Sequence, residues 1–186
     1  MIIDRRDALA GMAAMFGASL FAPIARAAAV QVTPISSGPP SSPVFSAQQR
    51  ALMTALSERV MPTTDTPGAI AAGVPEFIEK LLADWASPDE RKPILAGLDA
   101  IEARSQADYG VAGAQANAAQ QDALLTLAME DKFPGGKIFF EAFRQLVITG
   151  YFTSEVGIMQ EREYLPVPGR YDGAYLYSEV NKVFSS

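Results

Sequence analysis

Neither cysteine nor histidine occurs in the 186 residues of this chain, so no disulfide, thiolate zinc site or imidazole-bound metal can hold it folded. Such a chain must rely on a packed apolar core, and 49% hydrophobic residues supply the material for one. The same absences exclude Ser-His-Asp and Cys-His nucleophile systems, iron–sulfur clusters and Cys-x-x-Cys-His haem attachment. Carboxylate, lysine and tyrosine chemistry is what remains. Acids outnumber bases by 21 to 15, giving a formal charge of −6 and a pI near 4.7. That sign disfavours a partner made of phosphates, and no nucleic acid is expected.

Residues 1–27 read as a targeting segment. Arg5 and Arg6 stand side by side, residues 8–25 carry no charge, and Ala25 and Ala27 flank Arg26 as small residues for a leader peptidase. The uncharged stretch approaches the roughly 20 residues that span a bilayer. Seven alanines, two glycines and Pro23 make it only weakly hydrophobic, which favours a cleaved leader over an anchor. A weakly hydrophobic stretch behind paired arginines resembles a twin-arginine (Tat) signal, the route that exports folded proteins. Leu9 fits that pattern, while Ala8 and Ala10 stand where Phe and Lys are usual. An ordinary secretory signal or a retained anchor are the alternatives. Residues 28–45, with Pro34, Pro39, Pro40 and Pro43 among serines, form a linker or arm, either a disordered leader or a segment that orders against a partner.

From Ser46 the periodicity is helical, and residues 46–186 read as one all-α domain, a small bundle of about five helices. Ser46 caps a helix with Leu52, Met53, Leu56 and Val60 on its apolar side, and Pro62 stops it. A turn-forming run, Thr63-Thr64-Asp65-Thr66-Pro67-Gly68, precedes a second helix from Pro75 that aligns Phe77, Ile78, Leu81, Leu82 and Trp85. Ser87-Pro88-Asp89-Glu90 opens a third, which Pro93 is expected to delay or kink. A fourth is expected from about Ala114 to Glu130. The last carries Phe139, Phe140, Phe143, Leu146 and Val147 and is expected to end at Gly150. No alternating strand pattern competes. After Tyr164 an extended Pro/Gly/Tyr-rich segment containing Tyr171 and Tyr175 either lies over the core or offers contact surface to a partner.

Catalytic patterns are sparse. No nucleophile elbow, phosphate-binding loop or dinucleotide fingerprint occurs, so no catalytic, cofactor-binding or metal-ligating residue is assigned to this chain. Neighbouring acids such as Glu76 with Glu79, Asp89 with Glu90, and Glu161 with Glu163 read more simply as helix-start and solvent-facing charges.

Two stretches are more distinctive than generic helix. The first is Asp65-Thr66-Pro67-Gly68-Ala69 followed by Ala72-Gly73-Val74-Pro75-Glu76-Phe77-Ile78; the second is Gly150-Tyr151-Phe152-Thr153-Ser154-Glu155-Val156-Gly157. In this order, behind a twin-arginine leader, they resemble the gluconate 2-dehydrogenase subunit 3 family, with Phe152 where the family usually has a second tyrosine. The resemblance runs from about Ser46 to Asp172. It implies a non-catalytic small subunit of a periplasmic or membrane-associated flavin-dependent sugar or alcohol dehydrogenase. A large partner subunit would hold FAD, and a multi-haem cytochrome c often accompanies it. The signal-less large subunit would ride through the Tat translocase bound to this chain, leaving both in the periplasm and associated with the inner membrane through the complex.

Read physically, Gly150 is expected to cap the aromatic helix in a left-handed conformation, and Thr153 or Ser154 to cap a new turn near Glu155. Either the second motif is a structural corner, or Tyr151, Phe152, Thr153, Ser154 and Glu155, with Tyr164, Tyr171 and Tyr175, face a partner. Rival readings are a stand-alone periplasmic binding module, a carboxylate-based enzyme and a membrane-anchored form of the same subunit.

Overall fold

Each helix begins where local groups can satisfy its first amides. In the computed structural model, which describes residues 38–164 with 176, 178, 184 and 185, five α-helices follow one another. They are α1 (Ala47–Val60), α2 (Val74–Asp84), α3 (Pro88–Tyr109), α4 (Ala118–Met129) and α5 (Gly136–Phe152). Ser46 and Gln49, Ser87 and Glu90, and Asn117 and Gln120 form reciprocal capping boxes at the starts of α1, α3 and α4. Glycines in the left-handed region, Gly73 and Gly135, precede α2 and α5 instead. A π-helical turn (Gly157–Glu161) follows α5, and β1 (Glu163–Tyr164) pairs in parallel with β2 (Phe184–Ser185). The helical reading of the sequence holds, with this two-residue strand pair as an addition.

The central element is α5, which packs against the other four helices. Phe139, Phe143, Val147 and Tyr151 recur every four residues and are buried along its length, the two phenyl rings stacked with centroids 5.4 Å apart. Around them lie Leu52, Met53 and Leu56 of α1, Val74, Ile78 and Leu82 of α2, Ile94, Leu98 and Ile101 of α3, and Leu124 and Leu125 of α4. At Gly97 a Cβ would overlap the Phe139 ring, so the missing side chain is what lets α3 and α5 approach. Polar ties reinforce the frame at its surface. Arg59 grips Asp122 through two bonds of 2.7 and 2.8 Å, joining α1 to α4, and Arg50 pairs with the buried Glu79 to join α1 to α2.

Several expectations are corrected. Pro93 does not delay α3, which already starts at Pro88 and continues through it. Proline in the second turn forfeits a bond only to the carbonyl of Asp89, a solvent-exposed residue. The start of α4 moves from Ala114 to Ala118, because residues 112–116 form a turn whose Gly113 carbonyl accepts from the Gln121 side chain. Trp85 leaves the buried face of α2; it is the residue after the last turn and stays 53% exposed. α5 passes through Gly150 and ends at Phe152. Gly150 is helical, and its bare Cα admits Phe77 and Val74 of α2.

Part of the Pro/Ser-rich arm is also built into the structure. Pro39 and Ser41 bond to Lys80 and Asp84 in the C-terminal half of α2, and Phe45 lies in the core with Val44 packed against it.

Replacing Gly97 by alanine is expected to lower stability by about 1–3 kcal/mol through overlap with Phe139. Thermal unfolding of Gly97→Ala, and of the Gly97→Ala/Phe139→Leu pair in which the ring is removed, checks this. The double variant should recover part of the loss.

Candidate functional site

The most tightly organised polar region lies where the loop between α1 and α2 meets the end of α5. It starts at Glu58, near the end of α1. One carboxylate oxygen accepts from the Thr63 N–H (2.9 Å) and hydroxyl (2.7 Å), and the other from the Ile70 N–H (3.0 Å). The Thr63 hydroxyl in turn accepts from the Gly68 N–H at 3.0 Å, and the Ala69 N–H reaches the Met61 carbonyl at 2.8 Å. A side chain on Gly68 would strike the Glu58 carboxylate and the Thr63 backbone, so the loop closes only with glycine there. Burial of Glu58 opposes its ionisation, but the Ile70 and Thr63 donors outweigh that cost and bring its carboxyl below the ordinary 4.5.

The loop so shaped presents Thr66 and Pro67 to the second motif. Tyr151 is only 2% exposed and donates its hydroxyl to the Pro67 carbonyl at 2.8 Å, across 84 positions of sequence. Thr66 donates to the Glu161 carboxylate of the π-helical turn at 2.7 Å, with its hydroxyl 3.4 Å from that of Tyr151. A few residues along, Gly150 meets Val74 and Phe77. The two motifs therefore form one unit, joined by an apolar contact and a short hydrogen-bonded chain.

This geometry sorts the candidate interface residues. Tyr151 was expected at the surface if the motif docks a partner; it is a core residue whose polar tip fastens a loop, and that reading is corrected. Thr153 and Ser154 spend their hydroxyls on the carbonyls of Thr149 (2.7 Å) and Tyr151 (2.6 Å). Ser154 also accepts from the Gly157 N–H at 3.1 Å and so caps the new turn, as the sequence predicts. Phe152 is half-buried, edge-on to Tyr151 and covered by the Arg162 guanidinium 4.8 Å from its centroid. Glu155 faces solvent, as does Met159 at 55% exposure. The Tyr164 side chain and all of Tyr171 and Tyr175 lie outside the described residues, as do Arg5, Arg6, Ala25 and Ala27.

Of the neighbouring acids, those whose side chains are described have structural roles or face water, and the Glu163 side chain lies outside the described residues. Glu79 is held by Arg50, Glu90 completes a capping box, Asp89 pairs with Lys92, and Glu161 takes the Thr66 proton donor. Glu76 is exposed in the first turn of α2. Among the described residues no group of three or more Asp or Glu converges as metal ligands. A shallow apolar groove of about 680 Å³ runs beside α1, lined by Phe45, Ala47, Ala51, Ala55 and Ile70 with Arg50 at its edge.

Sequence reasoning missed Glu58 and Thr63. The turn chemistry of residues 63–68 was legible, but Glu58 carries no signal that separates it from any acid on a helix surface. A family profile described as "Gluconate 2-dehydrogenase subunit 3" matches residues 47–169, which takes in both motifs. Among curated proteins and solved structures none matches the chain.

Tyr151→Phe is expected to cost about 1–2 kcal/mol, because it leaves the Pro67 carbonyl without its donor while keeping the ring. Denaturant unfolding measures it. Glu58, with its carboxyl lowered in the fold, contributes stability that is complete above pH 4.5 and fades as pH falls through its lowered value. As pH falls below the ordinary 4.5 of this carboxyl, the unfolding temperature of the native chain should therefore drop more than that of Glu58→Gln.

Proposed function

The chain belongs to the gluconate 2-dehydrogenase subunit 3 family, and from that membership we propose that it is the non-catalytic small subunit of a flavin-dependent sugar or alcohol dehydrogenase complex. Its partner is a large subunit that carries FAD and the chemistry, with a multi-haem cytochrome c as a further member in some complexes. The small subunit supports maturation of the large one in the cytoplasm. It takes the folded flavoprotein through the Tat translocase on the Arg5-Arg6 signal, and it remains bound in the periplasm as a structural subunit.

The observation that carries this reading is the profile match across residues 47–169, which includes both motifs. The use those motifs make of their residues supports it. Glu58, Thr66, Tyr151, Ser154 and Glu161 are committed to hydrogen bonds that shape a corner. Such an arrangement suits a rigid docking element better than a reaction centre, because the polar groups already have partners. Beside them stand Phe152 under Arg162, the exposed Met159 and Glu155, and Ile70 at 49% exposure, the mixture of apolar anchors and charge that protein interfaces use.

Gentle affinity purification of the tagged chain from native periplasm and membranes, with an absorbance spectrum of the product, tests the proposal. A large subunit with bound flavin is expected. Arg5→Lys together with Arg6→Lys should remove both proteins from the periplasm. A monomer without flavin overturns the reading and turns attention to the groove beside α1 as a small-molecule site.

A further inference from the structure

The eight residues before Ser46 make contacts that a passive linker does not need. Gly38 turns the chain in the left-handed region, and the Pro39 carbonyl then accepts from the Lys80 ammonium at 3.0 Å. The Ser41 N–H donates to one Asp84 carboxylate oxygen at 2.9 Å, while the other takes Lys80 at 3.0 Å. Phe45 closes the segment by entering the core. Lys80 is only 6% exposed, so its ammonium depends on these two acceptors, one from α2 and one from the arm. Loss of the arm would leave a buried cation with half its partners, a costly state. Ser41, through its hydroxyl and N–H, and then Lys80 hold the Asp84 carboxyl at about 2, so the acceptor stays ionised.

We propose that residues 38–45 are a latch that closes only on folded α2, fastened by the Lys80 ammonium and the Asp84 carboxylate. The closing groups, Lys80 and Asp84, come together on one face only when α2 is helical, because they stand one turn apart. An unfolded α2 leaves the arm free, and a folded α2 holds it.

Hydrogen exchange of the full chain, read by mass spectrometry, tests the latch independently of any export route. Slow exchange over residues 41–46 is expected in the native protein. Lys80→Met, which removes the ammonium but fills its space, and Ser41→Pro, which removes the arm's donor without touching α2, should each speed that exchange by about tenfold or more. Amides of α3 and α5 should keep their protection in both. Chymotrypsin should cut after Phe45 in the variants and spare it in the native chain. Free-chain exchange over residues 41–46 in the native protein, or no acceleration in Ser41→Pro, overturns the proposal. The Arg5 and Arg6 replacements above test the leader itself, so failure of the export reading leaves the latch result standing.

Discussion

One buried stripe on α5 is the constraint on which the rest of the molecule depends. Phe139, Phe143, Val147 and Tyr151 occupy four successive turns, and every other helix finds part of its apolar surface against them. With no covalent cross-link available, burial of this stripe and of the leucines and isoleucines around it is the main source of stability. Close packing then places demands on small residues. Gly97 yields space to Phe139 and Gly150 yields space to Phe77, so the helix spacings follow from what these two positions lack.

Tyr151 links this core to the polar corner. Its ring belongs to the stripe and its hydroxyl belongs to the loop, so the loop between α1 and α2 has its position set by the core. Glu58 holds the same loop from the other side. The π-helical turn is then fastened to the loop by Thr66 and Glu161, which aligns Met159 and the Phe152–Arg162 pair on a surface with little freedom. On the docking reading proposed above, such a patch would bind without a large ordering cost. That property suits a subunit in a family of dehydrogenase complexes.

The helices were legible because their signals are local. Ser46 and Ser87 start helices as their residue types predict, and each forms a capping box with the Gln or Glu three positions on; Asn117 does the same at the start of α4, a signal the sequence reading does not use. In α1 and α5 the apolar spacing marks core positions at Leu52, Met53, Leu56, Phe139, Phe143 and Val147. Departures arise where a general rule meets a particular setting. Pro93 falls inside α3 because the start signal lies ahead of it at Ser87, and Gly150 serves a helix crossing with the distant Phe77 and Val74 where a cap is expected. The second motif was recognised as a unit, but the inward direction of its tyrosine depends on Pro67, 84 positions away.

The sequence alone determined the class of fold, the order of the α-helices among the described residues and the two motifs of the family, because capping and helical spacing act over three or four residues. It also excluded cysteine- and histidine-based chemistry outright. Tertiary structure alone decided which motif residues face inward, that the two motifs form one corner, that Glu58 organises a loop by bonding to Ile70 twelve positions on, and that residues 38–45 belong to the fold. The reason is geometric. A side chain's direction follows from its own helix, but what it meets there depends on how the helices are phased against one another, and only the assembled core sets that phase.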